Sequence, residues 1–334
     1  MDEGAAPARR AEEMMHRRQA FSGAVAFGAT AFLPGSAGLA RDIPQRASVR
    51  VIVDNDFHGD PDGLVALAHH LLSPKAKVPL VTVSGLNPQF ALADGRGGDT
   101  IAPGVEKVRT LAAKLGIAAP TVAAGREPGA QAGTLSDAAQ AIVAEARRAD
   151  ALPLFLACGG PLTNVADALI AAPEIAGRMT LIWIGGGGWP EGGWEYNLAT
   201  DIAAARQAIE QSRVPLWQVP QPTYRKMQVS VAEMTADMRP ISPFAEWLYD
   251  QFTSPPDFVD LGGTWPMGDT PPVLLTALSP DSGQWREVTA RRIGEQFEHG
   301  EEIPGRTIRL YDDFDMRLAW ADFLAKLRLN ALAQ

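Results

Sequence analysis

A single cysteine, Cys158, stands in the 334 residues. That excludes an intramolecular disulfide framework and any multi-cysteine zinc site. Histidine is scarce as well, with five in the whole chain, so a hard, oxygen-liganded cation such as calcium or magnesium is favoured over zinc. No stretch reaches the roughly 18 consecutive apolar residues that a membrane span needs. Positive charge is in deficit, with 30 Lys and Arg against 39 Asp and Glu and a net charge of −9. A basic face able to neutralise nucleic-acid phosphates is therefore not expected, whereas carboxylates are plentiful enough to gather around a cation. The remaining composition, 46% hydrophobic and 21% charged, is that of an ordinary globular protein.

Residues 1–40 read as an export signal of the twin-arginine type. Arg17-Arg18 precedes a weakly apolar stretch from Ala20 to Leu33, broken by Pro34-Gly35, with the small residues Gly38 and Ala40 just before Arg41. This assigns residues 41–334 to one folded domain and predicts an exported, periplasmic protein. The competing reading is a cytoplasmic protein with an Ala-rich tail.

After the tail, short apolar runs alternate with amphipathic stretches. Val51-Ile52-Val53, Leu80 to Val83, Leu154 to Ala157, Leu181 to Ile184 and Leu216 to Val219 read as buried strands. Leu64 to Leu72, Gly104 to Leu115, Asn164 to Ala171 and Ile202 to Gln211 read as helices between them. The alternation predicts an α/β fold, a single domain with a mostly parallel central sheet flanked by helices. Ligands in such sheets bind at the carboxyl ends of the strands. The stretch from Ser242 to Trp265 reads as a helix and a Pro/Gly-rich loop that overhangs the site.

Chemistry collects at the predicted strand ends. Asp54, Asp56, Asp60 and Asp62 fall within nine residues, directly after the first strand. Unpaired, they would raise one another's pKa, and a hard cation bound by several oxygens relieves this. The competing reading is a solvated acidic turn. Asn87, Thr163, Asn164, Glu195, Asn197 and Asp269 lie at other strand ends. Singly, each has a plain structural reading as a turn residue, helix cap or surface charge.

Together these segments resemble the inosine-uridine-preferring nucleoside hydrolases over most of residues 50–325. The likeness rests on the acidic loop from Asp54, Val83 to Asn87 with one inserted Leu86, the Gly160-Pro161-Leu162-Thr163-Asn164 turn, the glycine run Gly185 to Gly188, Glu195-Tyr196-Asn197, and Gly268-Asp269. The resemblance implies the Rossmann-like fold of that family and calcium-dependent hydrolysis of the N-glycosidic bond of ribonucleosides to ribose and free base. By the same resemblance Ca2+ is held by Asp56, Asp60 or Asp62, Asp269 and the carbonyl of Thr163. Asp56 matches the general base, Asn87, Glu195 and Asn197 match the residues that hydrogen-bond the ribose, Asn164 and Asp60 are also taken as substrate-binding, and the substrate is a small-molecule nucleoside. A homo-oligomer is also implied.

Two departures stand out. The acidic loop is longer than the family pattern by two residues, so Asp60 and Asp62 both remain candidate ligands, and either Pro61 or Gly63 falls where the last aspartate is expected, according to the end from which the loop is aligned. Gly268 replaces a histidine proposed to protonate the leaving base. His58 is then the one histidine in a site loop, with a structural turn role as its alternative. Phe57, Trp189, Trp194, Trp247 and Trp265 are candidates for stacking on the base, and Trp265 is taken as substrate-binding. A nucleoside-hydrolase-like protein that acts on or binds another glycoside or sugar is the competing function, because the loop also resembles one used by such proteins.

Overall fold

The computed structural model describes residues 43–129, 135–255 and 261–334. The expected export signal lies outside the described residues. The fold is carried by Gln45–Gln334.

Ten strands are formed: β1 Val49–Asn55, β2 Ala76–Val83, β3 Thr121–Ala124, β4 Leu154–Cys158, β5 Thr180–Ile184, β6 Leu216–Val219, β7 Gln228–Ser230, β8 Thr264–Pro266, β9 Gly283–Ile293 and β10 His299–Phe314, counted among the described residues. Eight of them make a central sheet in the order β3-β2-β1-β4-β5-β6-β10-β9. All neighbours pair in parallel except β9, which runs antiparallel to β10 at the edge. The short strands β7 and β8 form a separate antiparallel pair.

Alternation along β1 divides the core. Ile52 points into one apolar cluster, while Val51 and Val53 point into the other. The first cluster is closed by the helices Asp137–Arg147 and Thr163–Ala171, through Ala139, Ile142, Val165 and Leu169. The second is closed by Asp62–Leu71, Ile101–Leu115 and Met316–Ala333, through Leu64, Leu67, Val108, Leu111 and Phe323. A sheet buried on both faces demands uninterrupted apolar strands, which explains why β1, β4 and β5 are legible as plain hydrophobic runs.

The chain leaves β1 for β2 and β3 on one side, then returns to start β4 on the other side of β1. The sheet order therefore reverses between β1 and β4, where Asp54 pairs with Cys158. Connections depart in opposite directions there and leave a crevice beyond the strand ends. The acidic loop and the Gly160–Asn164 turn both open into that crevice.

The structure extends several expectations. The first strand runs on to Asn55, so Asp54 belongs to the sheet and not to the loop. The expected helix in the 242–265 region is Pro243–Asp250. The paired strands β9 and β10 carry many Arg and Glu residues and lie at the sheet edge, so their apolar pattern is weak in the sequence.

Candidate active site

A cavity of about 300 Å³ lies at the crevice, at the lower end of what a small-molecule site occupies. Its floor is acidic. Asp56, Asp60 and Asp62 come from the loop after β1 and from the first turn of the helix that follows, and Asp269 comes from the segment after β8. Across from them lie Glu195, Tyr196 and Asn197, with Tyr224 and Trp265 on the wall.

Close backbone packing brings these groups together. Asn55 Nδ2 donates to Asp269 Oδ2 at 2.8 Å, and the Asp269 amide donates to Asp62 Oδ2 at 3.0 Å. Two glycines make room for this tie. A Cβ on Gly63 would stand 2.6 Å from Asn55 Nδ2, and one on Gly159 would stand 2.6 Å from Asp269 Oδ1. Gly63, a departure from the family pattern when the loop is aligned from its helix end, is thus required by the side chain that holds Asp269.

The carboxylates are poorly solvated and repel one another. Burial, then the charge of Asp269, holds the Asp56 carboxyl well above its ordinary pKa, and the same two causes lift Asp62. Burial lifts Asp269 to about 7, with repulsion from Asp60 adding to it. Asp60 differs in that solvent reaches it from the pocket, yet the surrounding protein still raises it to about 6. It accepts from Trp265 Nε1 at 3.1 Å and from the Asp62 amide at 3.4 Å. Trp265 is itself fixed edge-on to Phe252 at 5.0 Å.

Such an all-oxygen, mutually repelling donor set has the chemistry that suits a hard cation. Among the described residues, however, no three metal-ligating side chains converge as a ready-made cage. Asp62 and Asp269 each already have one oxygen engaged by the protein.

Glu195 caps the short helix Tyr196–Thr200 and is fully buried. Its carboxylate accepts from the amides of Gly186 at 2.9 Å, Asn197 at 3.1 Å and Leu198 at 2.9 Å, and from Tyr224 Oη at 2.8 Å. Burial nonetheless raises its pKa. Asn197 Nδ2 donates to the carbonyls of Gly159 at 3.0 Å and Ile184 at 2.8 Å, which ties the ends of β4 and β5 to this wall. The ring of Tyr224 lies where a side chain on Gly268 would project, 3.1 Å from its ideal Cβ. Tyrosine thus fills the space next to Asp269 that the glycine leaves open.

Other expected residues stand behind the wall. Asp54 is fully buried; its Oδ2 accepts from Thr82 Oγ1 at 2.5 Å and from Asn164 Nδ2 at 2.8 Å. Asn164, expected against substrate, therefore holds Asp54 and does not line the cavity. Asn87 caps the helix Pro88–Ala93 by accepting from the amides of Gln89 and Phe90, and its neighbours Leu86 and Phe90 line the cavity instead. The Thr163 hydroxyl donates to Asp201 at 2.8 Å. His58 is half-buried with Nδ1 unpartnered, and it is not on the cavity wall. Of the five candidate aromatics only Trp265 lines the cavity; Phe57 is core, and Trp189 packs on His299 at 5.1 Å.

Sequence reasoning missed Tyr224, Arg96 and Lys107, all on the cavity wall. Lys107 had one readable sign. Gly104 lies three residues earlier, on the same helix face, and its missing side chain lets the helix approach Val83 and the first loop.

The family model described as inosine-uridine preferring nucleoside hydrolase matches residues 51–269. By sequence, no curated protein matches. Solved structures share the fold at low identity. A purine-preferring ribonucleoside hydrolase from Gardnerella vaginalis is 17% identical with a TM-score of 0.67, over 85% of this chain and 100% of that one. An inosine-uridine preferring nucleoside hydrolase from Bacillus anthracis is 16% identical with a TM-score of 0.65, over 84% and 99%. A plant nucleoside hydrolase is 16% identical with a TM-score of 0.62, over 84% and 99%. With the match spanning the strand-end loops just described, the chain belongs to the inosine-uridine preferring nucleoside hydrolase family, hydrolases of N-glycosyl compounds.

Proposed function

We propose that the cavity hydrolyses the N-glycosidic bond of ribonucleosides in a calcium-dependent reaction. The observation that carries this reading is the convergence of Asp56, Asp60, Asp62 and Asp269 on one cavity at the point where the sheet order reverses. Asp56, Asp60, Asp62 and Asp269 would hold the ion, whereas Thr163, expected to add its carbonyl, stands behind the cavity wall. When bound, calcium lowers the pKa of a water and orients ribose hydroxyls.

The chain's own residues supply the rest. Asp56 accepts the proton of the attacking water. The water oxygen bonds to the anomeric carbon as the carbon–nitrogen bond breaks, and its electron pair leaves with the base. Positive charge grows on the sugar ring in that step, and the acidic floor favours it. Glu195, its carboxylate taken up by backbone amides and Tyr224, holds Tyr196 and Asn197 in the cavity wall, where Asn197 is placed to orient the ribose, while Trp265 keeps Asp60 turned into the cavity. His58, expected from its place in the first loop to protonate the departing base, stands off the cavity wall, so the base takes its proton from solvent. His58→Ala should leave the rate on a purine nucleoside unchanged; a large fall in that rate would return the proton to His58.

Incubation of the full chain with inosine, uridine, adenosine and cytidine, with and without chelator, tests the whole reading by release of free ribose. Release that the chelator stops is expected; no release from any nucleoside overturns it. Equal rates on 2′-deoxynucleosides overturn the hydroxyl-reading part, since a site built to hold a hydroxyl rejects the analogue that lacks it. Export to the periplasm rests on the Arg17-Arg18 segment, and the double substitution Arg17→Lys with Arg18→Lys should trap the protein in the cytoplasm. A homo-oligomer is expected on sizing by light scattering.

A further inference from the structure

We propose that the cavity takes a ribonucleoside carrying an anionic oxygen group, phosphate or carboxylate, which is received by Lys107 and Arg96 on the cavity wall. This rests on the hydrolase reading of the same cavity and names the substrate class more closely.

Both cations line the cavity, alongside Asp56 and Asp60. Lys107 is half-buried, and among the described residues it has neither a hydrogen bond nor an ion pair. An ammonium withdrawn from water with three unused donors is costly to keep. Burial, and next the nearby Arg96, push its pKa down; Asp56 and Asp60 pull it up only at a distance. Arg96, by contrast, is held in place. Its Nε stands 2.6 Å from Asp94 Oδ2, and its Nη1 donates to the His58 carbonyl at 2.6 Å. Nη2 has no partner among the described residues. The guanidinium is therefore fixed with part of its fork free, the arrangement that suits a planar or tetrahedral oxyanion.

The plain alternative is that this pair balances the acidic floor. The structure gives that explanation only at long range, because no ion pair joins Lys107 to Asp56 or Asp60 among the described residues. It weakens further in the working state. A divalent ion on the four carboxylates would neutralise half of the charge that now faces Lys107, while Lys107 and Arg96 remain two like charges on one wall. An anion on the substrate resolves that repulsion.

Uridine, uridine 5′-monophosphate and 6-carboxyuridine separate the sources, since they share the uracil ring and carry no anion, a phosphate on the sugar, or a carboxylate on the ring. One of the two anionic substrates should exceed uridine at least tenfold in kcat/KM. Lys107→Met should reduce that ratio at least tenfold, and Lys107→Arg should restore most of it. Calorimetry of the full chain gives a readout without turnover: ribose 5-phosphate against ribose for the phosphate arm, and orotate against uracil for the carboxylate arm. Tighter binding of the anionic member of one pair, lost in Lys107→Met, supports the proposal. Equal use of neutral and anionic substrates, or a preference that survives Lys107→Met, overturns it. If no nucleoside is hydrolysed yet the anion preference in binding persists, the hydrolase reading falls and the anion seat stands.

Discussion

Asp54 and Asp56 lie two residues apart and serve different ends. β1 continues through Asn55, so Asp54 stays within the sheet, where Thr82 and Asn164 bond it. Asp56 is the first carboxylate past the strand and reaches the cavity. Asp56→Asn should therefore lower kcat by about 10²–10⁴-fold, the usual span for a general base, in a ribose-release assay, with the far-UV spectrum unchanged. Asn164→Ala should behave in the opposite way. Removing a donor to a buried carboxylate costs on the order of 1–3 kcal/mol, so its urea midpoint should fall while KM moves little. A large rise in KM would put Asn164 back against the substrate. Residue types and their order were legible in the sequence here. Which carboxylate faces the cavity was not, because that depends on where the strand ends, and boundaries are the least legible part of a strand. The same limit hid Tyr224, whose closeness to Gly268 is purely tertiary.

At the scale of elements, the helix Asp62–Leu71 joins site and core. Its first turn presents Asp62 to the cavity, and its last carries His69 and His70, both buried. His70 Nε2 lies 2.9 Å from Thr276 Oγ1, beneath the segment that delivers Asp269, and burial pushes its pKa down to about 3. The folded state therefore binds fewer protons than the unfolded chain between the ordinary histidine value of 6.5 and about 3. This contribution to stability is present above pH 6.5 and is lost as pH falls through that window, at up to roughly 1.4 kcal/mol per pH unit. The buried site carboxylates, held high, act with the opposite sign over the same range, so the loss is read as the difference between wild type and His70→Gln, which retains a donor for Thr276, in urea unfolding between pH 7 and 4. An unaltered slope in that variant would assign the loss to other groups. Buried strands and this helix were readable because their apolar pattern is uninterrupted. β9 was not, since its exposed, Arg-rich face gives it the look of a surface loop.

For the whole molecule, the net charge of −9 matters less than where the acids lie. The topology brings Asp56, Asp60 and Asp62 from near the start of the fold against Asp269 from near its end, with β2 to β8 between them in sequence. A cation held there clamps two distant parts of the chain, and whatever binds only the folded state stabilises it by mass action. At a hundredfold excess over its dissociation constant, calcium should add about 2.7 kcal/mol, which for a domain of this size corresponds to a rise in Tm of roughly 4–5 °C. Thermal melts of chelator-treated protein, with calcium then restored, measure this directly. Asp269→Asn should remove most of the rise, because it takes one end of the clamp away while leaving an amide that Asn55 can still reach. Magnesium should give a smaller shift, since it dehydrates reluctantly and tolerates less irregular oxygen sets. A Tm indifferent to calcium, or a full shift retained in Asp269→Asn, would mean that the four carboxylates are not gathered to hold an ion, and the acidic floor would then act on the sugar's developing charge alone.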